Sequence, residues 1–127
     1  MKTQVKFIIF IVAVIVLVGG FGVYSAFKPV PPSKLDSFAQ CLKASGAEFY
    51  GAFWCPHCQD QKKEFGSAVK YLPYIECSNP DQTQTQICKD KKVESYPTWI
   101  FKDGSIVTGK MELTALRDKT QCVLPQQ

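Results

Sequence analysis

Between Lys6 and Lys28 the chain carries no charged side chain, and that 21-residue run from Phe7 to Phe27 constrains everything that follows it. Wound as an α-helix, such a run is roughly 31 Å long, about the thickness of a bilayer hydrocarbon core. A helix of this length on a water-facing domain would carry polar residues along one side. Lys2 and Lys6 precede the run, so residues 1–6 are expected in the cytoplasm and the remainder of the chain outside it. We read 7–27 as a retained, single-pass transmembrane anchor in the cell membrane. The rival reading is a cleaved signal peptide, whose apolar part spans about 7–15 residues and ends at a small-residue site. Here the apolar core is longer, Tyr24-Ser25-Ala26 fits such a site poorly, and no cysteine near residue 20 offers a lipid attachment point.

Residues 28–34 read as a stiff Pro-rich stalk, and residues 35–124 as one domain. The formal charge of +4 falls to +2 once Lys2 and Lys6 are set aside, too weak a balance to call for nucleic acid. A monomer is expected. Six cysteines are many for an exported segment of this size, and outside the cytoplasm disulfides persist. Several connectivities are open in principle. Cys55 and Cys58 form one natural pair. Cys77 and Cys88 flank the polar loop Ser78–Gln84 and form a second, which leaves Cys41 and Cys122 by elimination. In the chain-entropy model the two structural bridges would contribute roughly 3 and 4.5 kcal/mol.

Along the domain, Ser33-Lys34-Leu35-Asp36 resembles a capping box opening a helix that ends at Gly46. Its apolar positions, Leu35, Phe38, Ala39 and Leu42, keep helical spacing. Residues 47–53 make a nearly continuous apolar run, as in a strand buried on both faces. A helix is expected over 56–71, with proline well placed in its first turn. Residues 74–77 read as a short strand parallel to the first, followed by a short helix at 83–91. A β-rich run over 93–101 is interrupted by Pro97, and Asp103-Gly104 joins it as a hairpin to 105–108. A last helix is expected over 112–122. The order αβαβαββα, with helices on both faces of a small mixed sheet, is an α/β domain.

Cys55-Pro56-His57-Cys58 falls where the first strand should give way to a helix. Two cysteines at that spacing can close a small disulfide and reopen it. A sulfur at a helix N-terminus meets unpaired backbone N–H groups, which favour thiolate over thiol. The thiolate attacks disulfides, and a stabilised thiolate is also a good leaving group. Redox chemistry follows, with Cys55 the exposed nucleophile and Cys58 the partly buried resolving thiol. Its only cofactor would be the Cys55–Cys58 disulfide itself. His57, the sole histidine, is placed to donate to the Cys55 sulfur, or else is an exposed residue without consequence. The blander alternatives are a structural bridge, a zinc site built from Cys55, Cys58, Cys77 and Cys88, and a redox-inert binding or chaperone module. The ten-residue spacing of the last two cysteines is loose for a zinc ribbon, and we expect no metal.

Trp54-Cys55-Pro56-His57-Cys58 after the first strand and Tyr96-Pro97-Thr98 before the third resemble the thioredoxin superfamily over about 45–120. The resemblance implies a thioredoxin fold with a four-stranded mixed sheet. It implies that Pro97 is cis and lies against the active-site disulfide, and that the Tyr96 backbone pairs with an extended substrate. Trp54, Phe53 and Tyr96 would rim the groove, with Pro56 and His57 between the cysteines; Pro-His is also the dipeptide of the oxidising DsbA-like family. A narrower resemblance is to the thioredoxin-like domain that accompanies bacterial homologues of vitamin K epoxide reductase. It is carried by Tyr50 through Cys58, Glu76-Cys77, Ile87-Cys88 and Tyr96 through Trp99. It implies that Cys77 pairs with Cys88, that protein thiols are the substrates, and that a quinone-linked membrane oxidase recharges the pair. A reductase or isomerase fed by a membrane electron carrier is the alternative. One departure stands out: thioredoxin has a buried acidic residue six positions before its first active cysteine, where this chain has Phe49. Glu48 is one step away and should face the other side of the sheet.

Overall fold

The computed structural model describes residues 1–26 and 31–126. Residues 27–30, which include the end of the expected span and part of the expected stalk, lie outside the described residues. The chain divides between Pro31 and Pro32 into two compact units. The first is one helix, α1 (Lys2–Ala26), whose segment Thr3–Val23 has a mean hydropathy of 2.7 and no burial. That is the length and composition of a membrane span or of a signal sequence.

The second unit runs α2 (Asp36–Ala44), β1 (Glu48–Gly51), α3 (Pro56–Phe65), a 3₁₀ helix (Gly66–Tyr71), β2 (Tyr74–Glu76), α4 (Gln86–Asp90), β3 (Thr98–Ile100), β4 (Ile106–Thr108) and α5 (Leu113–Thr120). The strands form one sheet in the order β2-β1-β3-β4. β2 is parallel to β1, whereas β3 is antiparallel to β1 and to β4. A parallel neighbour needs a crossover, which α3 and the 3₁₀ helix supply; the antiparallel pair β3–β4 needs only the Asp103-Gly104 turn. At the start of α2, Asp36 accepts from the Ser33 backbone N–H at 3.1 Å and Ser33 Oγ from the Leu35 N–H at 3.2 Å.

Strand parity divides the core between the two faces of the sheet. Phe49 on β1 joins Phe38, Leu42, Phe65, Trp99 and Leu116, so α2, α3 and α5 share one apolar body. Phe49 and Trp99 stack with ring centroids 4.6 Å apart, a contact worth about 0.5–1.5 kcal/mol beyond the area it buries. The next residue, Tyr50, faces the other way, into a smaller cluster with Cys77, Cys88 and Val93. Each face is closed by a disulfide. Cys41 on α2 is bonded to Cys122 beyond α5, 81 residues away, and Cys77 after β2 to Cys88 on α4, 11 residues away.

The single helix expected over 56–71 is broken. Gly66 takes φ +53°, a conformation that costs glycine little and other residues much, and the chain tightens into the 3₁₀ helix beyond it. The strands are also shorter than the apolar runs. Residues 52–54 leave β1 to form the approach to α3, and the proline of 93–101 confines β3 to Thr98–Ile100.

Candidate active site

β1 ends at Gly51, and the chain turns through Ala52–Trp54, with the Cys55 N–H donating to the Ala52 carbonyl at 3.0 Å. Cys55 then caps α3 in an extended conformation (φ −78°, ψ 119°), with Pro56 in the first turn. A proline there forfeits no hydrogen bond, because that N–H has no partner within the helix. The Cys55 Sγ accepts from the Cys58 N–H at 3.3 Å. The two thiols are unbridged.

Cys55 is not the exposed sulfur that the sequence reading expects. It is 4% exposed and Cys58 wholly buried, because Ala52 and Tyr96 pack around the pair. Burial pushes the Cys58 thiol up to about 12, helped by its hydrogen bond with Cys55, while the Ala52 backbone and Lys62 pull the other way. Ionising Cys58 in place is therefore costly, and the pair is asymmetric: Cys58 donates its backbone N–H to the sulfur of Cys55, which caps the helix.

The other expected residues fall around this pair to differing degrees. The Tyr96–Pro97 bond is cis, and Pro97 is fully buried. Tyr96 packs on the Cys55–Cys58 cluster and meets Trp54 edge to face at 6.0 Å. Trp54 and Phe53 are each 46% exposed, and the Trp54 indole N–H donates to Ser78 Oγ at 2.9 Å. Pro56 and His57 are exposed on the first turn. Trp99 is core. Glu48 turns away from the cysteines, accepting from Tyr50 Oη at 2.8 Å and from Lys91 Nζ at 3.0 Å, as strand parity requires. Cys77 and Cys88 are bonded to each other, which leaves two thiols where a zinc ribbon needs four ligands.

Several contacts at the site have no counterpart in the sequence reading. Gln61 is fully buried on α3. Its Oε1 accepts from the Met111 N–H at 2.8 Å and the Trp99 indole at 3.3 Å, and its Nε2 donates to the Met111 carbonyl at 3.0 Å. Since the Gly109 N–H donates to the Pro97 carbonyl at 2.7 Å, Gln61 ties the helix of Cys58 to the segment that supports the cis-proline. The signal for it was a glutamine on the apolar stripe Cys58, Gln61, Phe65. Glu76 is the second. Its Oε1 accepts from the Phe53 and Ser78 N–H groups at 3.1 and 3.0 Å, its Oε2 from Tyr74 Oη at 2.7 Å, so it anchors the turn leading into Cys55. Gly51 is the third: a Cβ there would stand 2.8 Å from Tyr74 Cε2 and 3.0 Å from Cys58 Sγ.

The family model for thioredoxin matches residues 34–122. The chain belongs to the thioredoxin family. Among curated relatives, the Thiol-disulfide oxidoreductase LTO1 of Arabidopsis thaliana is 35% identical over 90% of this chain and 36% of its own length. The Thioredoxin domain-containing protein 5 homolog of Drosophila melanogaster is 32% identical over 65% of this chain and 23% of its own length. The chain thus spans about a third or less of these relatives. Among solved structures, the thioredoxin of Malassezia sympodialis aligns with 75% of this chain and 96% of its own, at 17% identity and a TM-score of 0.44. Mitochondrial thioredoxin 3 of Saccharomyces cerevisiae aligns with 68% of this chain and 88% of its own, at 23% identity and a TM-score of 0.35. Within this thioredoxin domain, the position six before Cys55 is held by Phe49, packed in the core against Trp99 and edge-on to Tyr74.

Proposed function

We propose that the protein is a membrane-anchored, extracytoplasmic thiol–disulfide oxidoreductase that oxidises cysteines of exported proteins through the Cys55–Cys58 disulfide. The observation that carries this reading is the asymmetric pair at the start of α3, with Cys58 buried and its N–H on the Cys55 sulfur. A substrate thiolate attacks the Cys55 sulfur of the disulfide. The Cys55–Cys58 bond breaks, and Cys58 leaves with the electron pair and takes up a proton. A second substrate thiol then loses its proton and attacks the substrate sulfur of the mixed disulfide, expelling Cys55 as thiolate. The substrate gains a disulfide, and two electrons rest on the pair.

The Tyr96 backbone and Pro97 line the groove that receives an extended client, with Trp54 and Phe53 as its apolar rim. The four remaining cysteines, closed in two bridges, suit an oxidising compartment. In α1 we read a retained anchor with the N-terminus cytoplasmic. A tether confines the domain beside a membrane-embedded, quinone-linked oxidase resembling vitamin K epoxide reductase, and raises the effective concentration of each for the other.

The test is turnover. The full chain in detergent micelles, with its pair oxidised, is offered a reduced dithiol peptide. Stoichiometric oxidation by the wild type, none by Cys55→Ser, and a pair potential near −120 mV support the reading; a potential near −270 mV reverses the direction to reductase. Full cellular function of Cys55→Ser would favour a redox-inert binding module.

A further inference from the structure

In either direction of exchange Cys58 must pass through a thiolate inside a site that admits no water to it. No carboxylate of β1 serves it, since Phe49 occupies the core and Glu48 faces away. Charged and titratable groups reach the site from three other segments. α3 supplies Cys55, His57 and Lys62, and β2 supplies Tyr74 and Glu76; the cis-proline loop adds Tyr96, which packs on the pair.

Lys62 is four residues beyond Cys58, hence on the same face of α3 with its Cβ about 5–6 Å away. It is half-buried, and its Nζ sits 3.3 Å from the centroid of the Tyr74 ring. That ring in turn borders the same small space above Gly51 as the Cys58 sulfur: Cys58 Sγ lies 3.0 Å and Tyr74 Oη 3.3 Å from the point where a Cβ of Gly51 would be. Tyr74 is itself held by its hydrogen bond to Glu76. Ammonium, ring and sulfur are thus contiguous, and the ring fixes the ammonium by a cation–π contact on the side of the buried thiol.

Resting on the reading above, we propose that Lys62, seated on Tyr74, is a positioning residue that supplies the counter-charge for the Cys58 thiolate, both as it leaves the Cys55–Cys58 bond under substrate attack and as it closes that bond again when the pair is recharged. Burial depresses Lys62, while Glu76 and Cys58 hold it charged, so the cation is shared between a permanent partner and a transient one. Removing it leaves the thiolate formed in the resolving step without a neighbouring positive charge.

The experiment uses the full chain in micelles, its pair reduced and its two bridges intact, mixed with excess dithiobis(nitrobenzoate). In the first phase the Cys55 thiolate attacks the aromatic disulfide, forming a mixed disulfide and releasing one coloured thiolate. In the second, Cys58 loses its proton and attacks the Cys55 sulfur, closing the Cys55–Cys58 bond and releasing a second coloured thiolate. Cys58 is wholly buried and is not reached by the reagent directly. A nearby cation lowers a thiol by about one unit or more. Its loss cuts the thiolate fraction about tenfold per unit, and higher intrinsic nucleophilicity returns about threefold of that.

Lys62→Met should therefore slow the second phase about threefold to tenfold at neutral pH, displacing its rate–pH curve to higher pH, with the first phase within twofold of wild type. Lys62→Arg should restore the second phase. A second phase in Lys62→Met with the wild-type rate and pH curve would overturn the proposal, as would equal slowing by Lys62→Arg and Lys62→Met. If the wild-type chain shows no first phase, the oxidoreductase reading itself falls, and this proposal with it.

Discussion

Replacing Gln61 with leucine keeps the bulk of the side chain and removes its polar atoms. Four groups then lose a bond: the indole N–H of Trp99, which is wholly buried, the N–H and carbonyl of Met111, which is half-buried, and a carboxylate oxygen of Glu64, whose other oxygen keeps Lys110. An orphaned buried donor or acceptor costs about 1–3 kcal/mol. Water can replace part of the loss at Met111 but not at Trp99, so the gross cost is about 3–5 kcal/mol. The more apolar side chain returns about 1–2 kcal/mol. The net loss of about 1–4 kcal/mol is a sizeable part of the roughly 5–15 kcal/mol typical of whole domains. In heat unfolding of the full chain followed by tryptophan fluorescence, the midpoint should fall by at least about 4 °C, since each kcal/mol moves a domain of this size about 4–8 °C. Gln61→Glu keeps the acceptor but sets a carboxylate oxygen against the Met111 carbonyl and Glu64, and should be no milder. A Gln61→Leu chain within about 0.5 kcal/mol of wild type would refute the reasoning.

Other expectations follow from single contacts. Gly51→Ala places a methyl against Tyr74 and Cys58 and should cost about 1–3 kcal/mol by overpacking, read as a lowered unfolding midpoint. Cys41→Ser with Cys122→Ser opens an 81-residue loop and should cost about 4.5 kcal/mol in the chain-entropy model; a loss under about 1 kcal/mol would show that the bridge constrains little. The raised Cys58 thiol sets a pH dependence. Its contribution to stability is fully present below the unfolded value of about 8.5 and is lost as pH climbs toward the folded value of about 12. The dithiol form should therefore lose stability from about pH 8.5 upward while the disulfide form, lacking that proton, does not lose it through this group; parallel melting curves in alkali would contradict this.

Much of the fold was legible because its signals are local. Helical spacing in α2, the proline placed beside Cys55, the Asp103-Gly104 turn and the alternation of faces at Glu48 and Phe49 all act within a few residues. The paired cysteines stand out for the same reason, since two sulfurs at the head of a helix form a short-range pattern. Gly66 was ambiguous because a glycine within a helical pattern either breaks it or does not, and only the packing of residues 66–71 decides. The burial of Cys55 depends on Tyr96, 41 positions later in the chain, and on how the cis-proline loop folds over the pair. Gln61 and Lys62 gain their partners from strands and loops further along the chain, and Glu76 reaches the Phe53 N–H 23 positions away. A polar residue on an apolar stripe signals a buried partner but does not name it.

The central claim is that Cys55 and Cys58 trade a disulfide while the other four cysteines keep theirs. It is tested most directly by equilibrating the full chain in glutathione buffers of graded potential and mapping each bond by mass spectrometry. The account requires one two-electron transition, confined to Cys55–Cys58 and lying between about −270 and −120 mV, with Cys41–Cys122 and Cys77–Cys88 bonded throughout it. A pair that never closes, or a transition that opens either of the other bridges first, would contradict it.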